Sequence, residues 1–197
     1  MENLVQVLLS QFGSEAIEQV SQKIGAERST TEQALQAAVP LLISALSQNA
    51  SQPDGAEALA QALQRDHSGS ILDNVMDFLQ NPQTANGAGI LRHLLGSQRA
   101  PIEQALAERF GLSTGQIGHL LEILSPLVMG ALGKLCAAKH LDAGGLSQFL
   151  GQQRQQIAAQ APDLMSLATR FLDRNADGSI MDDAANLLSG FLNRRKQ

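Results

Sequence analysis

Twice in this chain a proline falls in the middle of a long, apolar, helix-favouring run. From Gly25 the sequence reads GAERSTTEQALQAAVPLLISAL, and from Gly111 it reads GLSTGQIGHLLEILSPLVMGAL. At an offset of 86 residues, Gly25 meets Gly111, Pro40 meets Pro126 and Leu46 meets Leu132. A proline inside a helix removes a backbone hydrogen bond and crowds the preceding turn, at a cost of about 3 kcal/mol unless packing compensates. A chain that carries this cost twice in one register is expected to build its core around two bent apolar helices.

The surroundings repeat as well. An IEQ triplet precedes each glycine (Ile17 to Gln19 and Ile102 to Gln104), and Gly13-Ser14 and Gly96-Ser97 lie further upstream. Gly25 and Gly111 fit the left-handed stop of a short amphipathic helix. Thr30-x-x-Gln33 and Ser113-x-x-Gln116 fit capping boxes at the start of the proline helices. A second echo sets GSILDN at Gly69 to Asn74 against GSIMDD at Gly178 to Asp183, now at an offset of 109. The 23 extra residues are about one helix and its loop, and Leu141 to Ala161 reads as that added helix. The expectation is an internal duplication: residues 1–82 as a first helical unit, and 83–197 as a second with an inserted helix and an aspartate-rich loop. The turn-rich QNPQTANGAG, Gln80 to Gly89, reads as the joint. With no run of alternating apolar residues long enough for a strand, the fold class is all-α, a compact bundle of about ten to twelve short helices.

Composition narrows the function. Apolar residues make up 44% of the 197, enough for a sizeable core, but there is no Trp or Tyr, so Leu, Ile, Val, Ala and six Phe must fill it. A net charge of −5 gives no positive field for nucleic acid. The basic tail Arg194-Arg195-Lys196 reads as a solubilising end. Cys136, the single cysteine, sits in an apolar context and reads as a buried structural thiol. The first residues, MENLVQVLLSQF, lack the basic start of a signal peptide. The most apolar run, Ile123 to Gly133, is too short to span a bilayer of about 30 Å. The expectation is a cytoplasmic protein with no transmembrane segment.

HSGSILDNV (His67 to Val75), GAGILRHLLG (Gly87 to Gly96) and the FGLS to LSPLVMGALGK stretch (Phe110 to Lys134) together resemble the bacterial domain of unknown function family 937, itself similar to YidB-like helical domains. The resemblance covers most of the chain. It implies an all-helical bacterial protein and carries no activity with it. It also implies an aspartate-rich GS turn near the C-terminus, here Asp173 to Asp183.

That turn, DRNADGSIMDD, is the strongest chemical feature. Asp173, Asn175, Asp177 and Gly178 fill positions 1, 3, 5 and 6 of a calcium loop, Ser179 offers a carbonyl at 7, and Ile180 is the apolar residue at 8. The match then breaks. Met181 stands at 9 and Ala184 at 12, so no bidentate acid closes the loop unless Asp182 or Asp183 does so early. The competing reading is a helix cap, because Ser179-x-x-Asp182 has the form of a capping box that Ser70-x-x-Asp73 repeats behind Gln64, Asp66 and Ser68, which could not make the same acidic cage. Another divalent ion is a third reading.

No enzyme signature stands beside it. His67, His93, His119 and His140 have no zinc spacing, and Asp66-His67-Ser68 are adjacent residues rather than a triad gathered from separate segments. His93, in ILRHLLG, reads as packed or interfacial. The functional expectation is an uncharacterised, non-enzymatic protein that acts through contacts with a protein partner or as a homo-oligomer, with a weak calcium loop. The alternative is a carrier of an apolar ligand or membrane-surface partner in a groove between the units, where Val128-Met129 would line it. Calorimetric titration of chelator-treated protein separates the loop readings. A calcium site gives one saturable event, with a dissociation constant of about 10⁻⁴ to 10⁻³ M, that both Asp173→Ala and Asp177→Ala abolish. A cap gives no heat.

Overall fold

The computed structural model describes residues 4–163, and 166 and 169 beyond them. Among these residues the chain is helical without a strand. It forms α1 (Leu4–Gln11), α2 (Ser14–Ile24), α3 (Arg28–Asn49), α4 (Pro53–Asp66), α5 (Val75–Gln80), α6 (Gly87–Leu95), α7 (Arg99–Phe110), α8 (Thr114–Lys139) and α9 (Ala143–Gln160). Single 3-10 turns occur at Ser70–Leu72, Pro82–Ala85 and Gly96–Gln98. The all-α expectation stands, whereas the count of ten to twelve short helices is not confirmed. Long helices take up the chain instead: α3 and α8 have 22 and 26 residues.

The two proline helices pack against each other at the centre. Their composition explains why. In α3 every residue from Ala37 to Ser47 is buried, and in α8 every residue from Ile123 to Gly133. A helix that is apolar all round has no face for water and must be enclosed by others. By length and composition α8 as a whole is long and apolar enough to cross a membrane, unlike the eleven-residue run alone, and its most apolar 18 residues are 72% buried inside the protein. Ser44 and Ser125 close their hydroxyls onto their own helix, Ser44 onto the Pro40 carbonyl at 2.9 Å and Ser125 onto that of Leu121 at 2.7 Å. Enclosing these two thus leaves neither hydroxyl without a partner.

Around this pair, α1 and α2 lie on one flank and α6 and α7 on another, each touching both central helices. Helix α4 packs on α8 and α9, and α9 packs on α3 and α4. The expected glycine stops form: Gly25 and Gly111 end α2 and α7 in the left-handed region, at φ of 68° and 66°. Of the two expected boxes at the proline helices only one does. Ser113 and Gln116 cap α8 reciprocally. Helix α3 starts earlier than expected, at Arg28, so Thr30 falls inside it and Thr31 bonds the Glu27 carbonyl instead. Nor does Ser70 cap a helix. Gly69 at φ 96° begins a 3-10 turn, and Asp73 pairs with Lys134 at 2.8 Å. The stretch read as an added helix is α9, capped by Asp142, whose carboxylate accepts from the Gly145 amide at 2.7 Å. Its Gln153 accepts from the Leu4 amide at 2.9 Å, which ties α1 to α9.

Candidate functional site

A proline cannot donate to the carbonyl four residues before it, so Pro126 leaves the Glu122 carbonyl without its helical partner. Gly87, at the start of α6, rests its backbone against that carbonyl so closely that a Cβ there would overlap it. The approach is made by Asn86, which turns the chain in the left-handed region at φ 50°. The joint between α5 and α6 is thereby held against α8 at the carbonyl that Pro126 frees. Lys23, in the last turn of α2, fixes its other end by donating to the Gln80 carbonyl at 3.0 Å.

These contacts leave an open cleft of about 660 Å³. Its walls are Lys23 of α2, residues 80–84 and 86 of the joint, Gly87 and Ala88 of α6, and His119, Glu122 and Ile123 of α8. The frame is rigid on both sides. Gln116 accepts from the Ser113 amide at 2.8 Å and sends its own amide to the Gly25 carbonyl at 2.6 Å. One side chain thus caps α8 and anchors the end of α2. Glu122 is held from outside by Arg99, whose guanidinium also binds Glu103, at 2.7 and 2.6 Å. Partial burial works against the Arg99 charge, but the two carboxylates outweigh it and leave its pKa raised. The cleft therefore presents an exposed ammonium, an exposed imidazole at His119, a partnered carboxylate and the amide side chains of the joint. It offers hydrogen bonds and charge on a fixed backbone. None of the site residues expected from the sequence lies here.

Asp173, Asn175, Asp177, Ser179, Asp182 and Asp183 lie outside the described residues, as does the basic tail. Among the described residues no three His, Cys, Asp or Glu side chains gather to hold a cation. A second cleft, of about 420 Å³, holds Asp66, His67 and Ser68 beside Ile90 and Pro126. There Asp66 binds Arg65 at 2.7 Å, and this hydrogen bond holds its carboxyl below the usual range. Burial lowers the His67 pKa, with Asp66 opposing the shift. The His67 carbonyl presses on Gly133 of α8, which only a residue without a Cβ admits. His93 is exposed on α6 rather than packed. Cys136 is half-buried, and burial pushes its thiol up to about 11, away from the reactive thiolate.

The family model described as "Bacterial protein of unknown function (DUF937)" matches residues 6–135, from α1 into the last part of α8. No curated protein and no solved structure matches the chain.

The joint's close approach to α8 is testable at Gly87. Gly87→Ala places a methyl on the Glu122 carbonyl, and overpacking of this kind costs about 1–3 kcal/mol. Denaturant unfolding should show that loss, whereas Gly151→Ala, in open space on α9, should be neutral or stabilising by about 1 kcal/mol.

Proposed function

The chain belongs to the bacterial family of proteins of unknown function designated 937, and from that premise we propose a non-enzymatic contact module, whose recognition surface is the cleft at the joint. The observation that supports it is the cleft's construction. Backbone at Gly87 and side chains at Lys23, Gln116 and Arg99 fix its walls, while hydrogen-bonding groups of the joint remain exposed at its rim. A preformed, open surface with hydrogen-bonding groups at its rim suits a protein segment that brings its own donors and acceptors, because little is lost in ordering the receiving side. Being open, it differs from the enclosed apolar pocket that usually hosts the apolar ligand of the alternative reading. On sequence grounds alone, the loop at 173–183 belongs to this reading as a reinforcing calcium site.

The reading also includes two related helical units. The order of short helix, left-handed glycine and long proline helix occurs at α2–α3 and again at α7–α8. The cleft lies where the chain passes from one to the other.

A photoreactive amino acid incorporated in living cells at Gln83, exposed in the joint, tests the surface. The expected result is a discrete protein adduct that weakens with His119→Ala and is not formed from Gln104, exposed on α7. Equal labelling from both positions, or none from Gln83, contradicts the proposal.

A further inference from the structure

Helices α4 and α9 stand in matching register, and the packing of the two is crossed. The register shows the correspondence. Helix α8 is four residues longer than α3, one helical turn, and from that point the offset between the units rises from 86 to 90. At an offset of 90, the helix ends Asn49 and Lys139 coincide, and so do the N-caps Gln52 and Asp142. The inward faces follow the same spacing. Ala56, Leu59, Ala60 and Leu63 of α4 match Leu146, Phe149, Leu150 and Gln153 of α9, at i, i+3, i+4 and i+7.

Packing then reveals the crossing. Helix α4 follows α3 in the chain but lies on α8, and α9 follows α8 but lies on α3. Other contacts fit the same exchange: α1 and α6, and α2 and α7, each touch both proline helices, and α4 touches α9. Polar bonds follow the crossed pairing, with Arg154 of α9 reaching Gln48 of α3 at 3.0 Å. Leu63 of α4 lines the surface of α8 beside Gly133 and Cys136.

We infer that the protein is two copies of a four-helix unit, α1–α4 and α6–α9, that have exchanged their fourth helices within one chain. Each unit supplies the helix that covers the other's proline helix, so neither encloses its own core. The two units are obligate partners, and the segment from His67 to Asn86 tethers them, with Phe78 and Leu79 of α5 buried in the shared core. This goes beyond the contact-module reading, since it concerns how the halves hold each other and stands whatever the cleft binds. It also moves the surplus residues of the second copy to the sequence downstream of α9.

The test uses the whole chain with a protease recognition sequence inserted between Gln83 and Thr84, cleaved after folding. The cleaved halves should co-elute at micromolar concentration and unfold in a single transition. Leu63→Ala should raise their dissociation constant by about 30-fold or more, since α4 is then a binding element, and Gln64→Ala, exposed on the same helix, should change it by less than about twofold. Leu63→Val, a milder truncation, should move it in the same direction by a smaller factor. Separation of the halves in native buffer, two independent transitions, or a dissociation constant indifferent to both Leu63 variants overturns the exchange.

Discussion

Everything in this fold leans on the packing of α3 against α8. Two helices buried through eleven consecutive residues each cannot face water, and each fully buried Leu or Ile contributes roughly 1.5–3 kcal/mol relative to exposure. Leu42, Ile43, Leu124 and Leu132 are wholly enclosed, and Leu127 nearly so. The other helices among the described residues are shorter and form a coat around this pair. The prolines at 40 and 126 survive inside it because burial of their surroundings offsets the lost backbone bond. At Pro126 the freed carbonyl even acquires a neighbour, the glycine at the start of α6. The position equivalent to Glu122 in α3 is Gln36, an exposed residue.

The coat is fastened by a few polar bonds between distant segments. Gln116 to Gly25, Lys23 to Gln80, Gln153 to Leu4 and Arg154 to Gln48 each join parts of the chain at least 57 residues apart. Hydrogen bonds of this kind contribute about 0.5–1.5 kcal/mol each, far less than the apolar core. Their role is to choose one arrangement of helices among the many that an Ala- and Leu-rich coat would permit. Gln116 illustrates the economy of this scheme, because the residue that caps α8 also sets where α2 ends against it.

Much of this was legible in the residues. Apolar periodicity, the glycines at 25 and 111 and the two prolines announced the all-helical class and its central pair, since each acts through local backbone chemistry that sequence expresses directly. The Ser113 box was legible for the same reason. Thr30 misled because a box is a statement about where a helix begins, and α3 begins two residues earlier. The joint cleft was not legible as a site. Lys23, Gln80, His119 and Glu122 come from separate segments, and no spacing rule joins them; only QNPQTANGAG marked the place. On the inference of exchanged helices, the register match of α4 with α9 was hidden by one turn of extra helix in α8, which shifts the offset from 86 to 90.

The central role of the proline pair is tested most directly by native-state hydrogen exchange. If α3 and α8 form one cooperative core, the amides of 37–47, Pro40 aside, and of 123–133, Pro126 aside, are the slowest in the protein and exchange with one common free energy, that of global unfolding. Exchange of either stretch through a local opening of markedly lower free energy, while the other stays protected, would contradict the account.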